Sequence, residues 1–177
     1  MRATVTGNDK TARTLCRAGA TVVLVLLAVG CSPAERPLVA LGKGPDGDVR
    51  VLLRPCSDDD PVREVMFLGS DEKGDGVDRP ARDGWSDRPP GSVTGEQEFS
   101  LFDLPKGWQG KAGSVTKLAS DGDYSVSFVV GPNDTVRYKG LARFTRADVV
   151  GLASGQWWAD GKAMSRAEFR AQADDAC

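Results

Sequence analysis

Tyr124-Ser125-Val126-Ser127-Phe128-Val129-Val130 is the stretch that decides the fold. Large apolar side chains stand at 124, 126, 128 and 130, with serines between them at 125 and 127. Successive side chains of a strand point to opposite faces, so this spacing predicts one buried face and one polar face. Asp121-Gly122 precedes the run and is a hairpin signal, because the pair suits positive φ at consecutive positions. Gly131-Pro132-Asn133-Asp134 breaks the run, and Val136 and Tyr138 resume it towards Leu141 and Phe144. With residues 114–118 before the first turn, the pattern predicts a three-stranded antiparallel meander with one buried face.

Working outward, shorter strands are expected near 38–41, at 49–53, at 62–68 and at 97–104. Residues 42–48, 57–61 and 105–110 are rich in Gly, Pro and Asp, and read as turns. Residues 69–95 are dense in Gly, Asp, Arg and Pro, with Val77, Trp85 and Val93 standing out as large apolar residues. They read as a long polar loop, which is either functional or holds a short hairpin.

The C-terminal end reads as a closing device. Gln156-Trp157-Trp158-Ala159 is a short aromatic segment followed by an Asp160-Gly161 turn. Adjacent tryptophans on a strand face opposite ways, so one enters the core and the other is exposed or covered by the last helix. Ser165-Arg166-Ala167-Glu168 is a capping box, and Met164 before it with Phe169 inside the first turn forms a hydrophobic staple. A helix over 166–175 follows. The expected fold is mainly β: a small antiparallel sandwich or half-barrel with one C-terminal α-helix, in a single domain from 38 to 177.

The N-terminal part has a different character. Arg2, Lys10, Arg13 and Arg17 stand against Asp9 in the first thirty residues, a net of +3. The apolar run 18–29 is too short to span a bilayer, which takes about 20 residues. It has the length of a signal-peptide core. Leu27-Ala28-Val29-Gly30-Cys31 then resembles the lipobox of bacterial lipoproteins, with Ala28 where Leu is commonest. The resemblance implies lipid attachment at Cys31 and cleavage between Gly30 and Cys31. It makes 1–30 a signal peptide and 31–37 a short tether. The implied location is the cell membrane, lipid-anchored on the extracytoplasmic face, with the membrane as a partner through the N-terminal lipid. The composition, the lipobox and the Trp158-Ala159-Asp160-Gly161-Lys162 approach to the helix resemble actinobacterial lipoproteins, a resemblance that carries no activity with it.

Composition excludes several functions. From Cys31 on, the chain holds 19 basic and 24 acidic residues of the 23 and 25 in the whole, a net of −5. A nucleic-acid partner needs a basic surface and is not expected. Histidine is absent, which removes Ser-His-Asp and Cys-His catalysis and His-containing zinc sites. Once Cys16 leaves with the leader and Cys31 is acylated, Cys56 and Cys177 remain. An oxidising compartment favours a disulfide between them.

Few residues suggest chemistry. Asp71, Asp75 and Gly76 fit part of a calcium loop, but Lys73 occupies a ligand position and would repel the ion. Asp58-Asp59-Asp60 reads as a turn or strand-end cap. No acid lies in a recognisable catalytic motif, and no metal or cofactor is expected. Trp85 in the polar loop and Trp108 in a glycine-flanked turn are the candidate binding residues, since exposed aromatics stack on sugars or anchor proteins. The expectation is a non-catalytic binding or structural module of the cell envelope, with a protein or glycan partner. The alternative is an envelope hydrolase using paired carboxylates.

Overall fold

Residues 123–130 occupy the centre of a sheet, as their alternation requires. In the computed structural model, which describes residues 34–70, 83–90, 93–108, 115–131 and 135–177, ten strands form two five-stranded sheets. The described residues belong to one compact unit, Pro33–Cys177. The strands are β1 Glu35–Arg36, β2 Val39–Lys43, β3 Val49–Leu53, β4 Val62–Ser70, β5 Asp83–Asp87, β6 Gln97–Ser100, β7 Asp123–Val130, β8 Tyr138–Thr145, β9 Gln156–Ala159 and β10 Lys162–Ser165. The helices are α1 Arg146–Val150 and α2 Arg166–Asp175. Sheet A runs β1-β8-β7-β4-β5 and sheet B runs β10-β9-β2-β3-β6. All pairs are antiparallel except β1 with β8. The architecture is the sandwich rather than the half-barrel, with a C-terminal helix.

Tyr124, Val126, Phe128 and Val130 all face the core, which they share with Val65 and Phe67 of β4 and Val39, Leu41, Val51 and Leu53 of sheet B. The meander differs from the expected one. Residues 115–118 are not strand, and the second neighbour of β7 is β4, which comes from some fifty residues earlier. Local alternation fixed which face of β7 is buried. It could not name a partner so distant in sequence.

The polar stretch 69–95 contains the hairpin partner. β4 runs on to Ser70, and β5 pairs with it antiparallel, placing Trp85 opposite Phe67. Expected strand 97–104 stops at Ser100, where a bridge to Asp103 turns the chain. Residues 35 and 36, expected in the tether 31–37, already pair with Lys139 and Gly140 of β8. α1 was not expected. Its capping box, Thr145 with Asp148, could have signalled it in the sequence.

Sheet B is buried on both faces. Ala40, Leu52, Trp157, Ala159, Met164 and Phe169 form a second apolar cluster on its outer side, beneath α2. Helix and strand meet at the expected cap: the Ser165 hydroxyl accepts from the Glu168 amide, and the Glu168 carboxylate accepts from the Ser165 amide. Met164 and Phe169 both lie in the cluster, as a staple requires. Asp160 and Gly161 have φ of 49° and 73°, the left-handed values that a tight two-residue hairpin between β9 and β10 needs. Gly42 pairs with Trp157, and a Cβ there would stand 2.8 Å from the indole Cε3. The close approach of ring to backbone needs glycine.

Candidate functional site

The outer face of sheet A has no helix over it among the described residues. Three of its cross-strand rows, from β4 through β7 to β8, are Glu64-Val129-Lys139, Met66-Ser127-Leu141 and Leu68-Ser125-Arg143. The middle row is apolar at both ends around a buried serine. The third row joins an apolar end, Leu68 at 39% exposure, to a guanidinium. Serine at 125 leaves room between them. A groove of about 550 Å³ opens there, walled by Leu68, Ser125, Arg143, Thr145 and Asp148.

A second groove of about 480 Å³ runs along the β8 edge, between β1 and the β9–β10 turn. Glu35, Pro37, Leu141, Arg143 and Asp160 line it. Arg143 therefore belongs to both grooves. Its side chain is 72% exposed. Its carbonyl accepts from the Trp158 indole N–H at 3.0 Å, which covers part of an otherwise open strand edge.

β1 is fastened on both sides. On the outer face the Glu35 carboxylate accepts from Arg143 Nη2 at 3.1 Å and pairs with Lys139 Nζ at 3.5 Å. Burial works to raise the Glu35 carboxyl, but the Arg143 hydrogen bond and the Lys139 charge outweigh it and hold it below its ordinary value. Arg36 points the other way, as the next residue of a strand must. Its Nη1 donates to the Cys56 sulfur at 3.3 Å and the Cys177 carbonyl at 3.2 Å, and its guanidinium lies 5.2 Å from the Tyr138 ring centroid.

That second contact joins a structural cluster. Cys56 and Cys177 are disulfide-bonded across 121 residues, which ties the end of α2 to the turn after β3. The Tyr138 hydroxyl donates to Asp60 Oδ2 and accepts from the Cys56 amide, both at 2.8 Å. Burial, with the Asp60 carboxylate beside it, pushes the Tyr138 hydroxyl up to about 12. Arg137 completes the carboxylate at 3.1 Å. Asp60 thus caps the start of β4 from a turn, where Asp58 pairs with Arg54.

A third charged cluster clamps α2 to sheet B. Glu96 accepts from Arg170 Nε at 2.8 Å and Nη2 at 2.7 Å, and from Arg166. The Arg170 hydrogen bonds lead, against burial and with help from Arg166, in lowering the Glu96 carboxyl from 4.5 to about 2. Arg166 also lies 5.7 Å over Trp157 and bonds Glu98 at 2.7 Å.

Of the two tryptophans expected to bind, Trp85 is structural. Trp85 lies in β5, not in an open loop, and is 6% exposed. Its indole N–H donates to the Leu101 carbonyl at 3.0 Å, and its ring packs near Phe67 and Phe99. A polar sequence hid a strand whose single large residue faces the core. Trp108 is half-buried, 5.0 Å from the Phe99 ring. Trp157 enters the cluster beneath α2, and Trp158 packs from the other face against the main core.

Gly30, Cys31 and the 71–78 acidic stretch lie outside the described residues. Among the described residues no group of three or more Cys, Asp or Glu could hold a metal. No described helix is long and apolar enough to cross a membrane. The Glu35, Glu96 and Glu168 carboxyls are shifted downward. Sequence reasoning missed Glu35 and Arg143. Neither lies in a motif, and they meet only because β1 pairs with β8.

Fold and site define a two-sheet β-sandwich with one sheet plated by a helix and the other bearing no helix among the described residues. No protein-family model, curated protein or solved structure matches the chain.

Proposed function

We propose that the chain is a lipoprotein precursor, cleaved before Cys31 and held at the extracytoplasmic face of the cell membrane by lipid on that cysteine. Its sandwich is a non-catalytic binding or structural module of the envelope. The observation that carries this reading is the Cys56–Cys177 disulfide, which belongs to an oxidising compartment. The lipobox and the basic leader are consistent with it. The first described strand starts at Glu35, four residues on from Cys31, as suits a domain kept close to its anchor.

With Trp85 buried and Trp108 half-buried, a protein or glycan ligand would meet the open face of sheet A instead. The test is metabolic labelling with palmitate, together with membrane fractionation, of wild type and Cys31→Ser. Label and membrane association should both be lost in the variant. A Cys31→Ser protein that remains with the membrane would refute the lipid anchor.

A further inference from the structure

We infer that the outer face of sheet A is a membrane-docking face, lying on the headgroups of the bilayer that holds the lipid. The inference rests on the lipid-anchor reading above. Three residues separate Cys31 from Glu35, and an extended chain covers at most about 14 Å over those four steps. The end of this leash is fixed to the outer face itself. Glu35 is bound there by Arg143 and Lys139, while Arg36 holds the same strand from behind through Cys56 and Cys177. A joint fastened on both sides does not swivel freely. Sheet B lies about 10 Å behind sheet A, and α2 is a further layer behind that. The α2 side is therefore the face that the leash holds away from the bilayer.

The chemistry of the open face suits headgroups. Met66, Leu68, Val129 and Leu141 supply an apolar strip broken by small serines. Lys139 and Arg143 stand along the edge nearest the anchor. Arg143 is the more exposed, and the groove beside it combines an apolar wall and a guanidinium with the Asp123 and Asp148 carboxylates. Lys139 and Arg143 both pair with Glu35, and Glu64 and Asp123 share the face, so it carries charges of both signs with no net positive charge. This mixture fits a zwitterionic headgroup, its phosphate towards the guanidinium and its ammonium towards a carboxylate, rather than a purely anionic one.

The test uses the full precursor, expressed, processed and purified with its lipid and disulfide. It is reconstituted in vesicles of phosphatidylethanolamine and phosphatidylglycerol doped with a nickel-chelating lipid. Spin labels are placed singly at Ser125→Cys on the open face and at Ala171→Cys on the exposed side of α2. A Ser86→Cys label, on an exposed position of the same open face, serves if Ser125→Cys does not fold. The mass of the N-terminal peptide is read in parallel. Headgroup nickel should relax the open-face label several-fold more strongly than the α2 label. Adding Lys139→Glu and Arg143→Glu should reduce that difference, more so at low salt. Equal relaxation at both positions with the lipid mass present overturns the docking alone. An open-face label shielded from soluble quencher but not reached by nickel, with dipolar coupling between copies, also overturns it and assigns the face to a second copy. Absence of the lipid mass overturns the anchor, and the docking with it.

Discussion

The two sheets of this sandwich carry different outer faces. On sheet B, Ala40, Gly42, Leu52 and Trp157 are small or apolar, and α2 covers them with Phe169, which meets Met164 of β10 in the same cluster. On sheet A, the three rows described across β4, β7 and β8 each mix an apolar residue with a serine or a charge, and no described helix lies over them. The difference teaches what a helix needs in order to plate a sheet. It needs a continuous apolar floor, a cap that starts it at the sheet edge, and an ion-pair clamp at its rim. Ser165 with Glu168 is the cap, and Glu96 with Arg166 and Arg170 is the clamp. Among the described residues, sheet A offers none of the three.

The strongest way to break the comparison is to cut the link that holds the plated side together. Replacing Cys56 and Cys177 with serine frees the end of α2 from the turn after β3. The chain-entropy model for a loop of about 120 residues puts the loss at roughly 4 to 5 kcal/mol, readable as a lower urea midpoint. Phe169→Ala empties a fully buried site under the helix and should destabilise by about 3 to 5 kcal/mol in the same measurement. A value below about 1 kcal/mol would mean that α2 contributes little to the plating. Gly42→Ala forces Trp157 to move and should lose about 1 to 3 kcal/mol, with a change in near-ultraviolet tryptophan signal.

The clamp gives a pH signature. The folded Glu96 carboxyl lies near 2 and the ordinary value is 4.5, so the folded state binds its proton later than the unfolded state. The stabilisation is fully present above about 4.5 and is lost as the pH falls towards 2. Glu96→Gln should lower stability at neutral pH and flatten the acid limb between those values. The smallest effect belongs to the open face. Leu68→Ser should change stability by no more than about 0.5 kcal/mol, because its side chain is already in contact with solvent. A loss as large as that of Phe169→Ala would show that sheet A is covered after all.

How much was legible depended on the distance between partners. The capping box at Ser165, the turn at Asp160-Gly161 and the alternation of β7 are local, and each appears where the residues put it. The pairing of Cys56 with Cys177 was readable by elimination among four cysteines. Trp85 was misplaced because its neighbours are polar, yet β4 supplies the partner that turns a polar stretch into a strand. Arg143 and Glu35 lie 108 residues apart and carry no motif, so nothing local could join them.

By itself, the sequence determined the mainly β class, the C-terminal helix with its cap and the buried face of β7. These follow from side-chain period, backbone preference and short-range hydrogen bonding, which act over a few residues. Only the tertiary structure decided that β4 is the neighbour of β7, that Trp85 is core, that β1 starts at Glu35 and that no described helix covers sheet A. Those outcomes depend on which surfaces are left to bury once the local elements exist, and burial is settled between segments far apart in the chain.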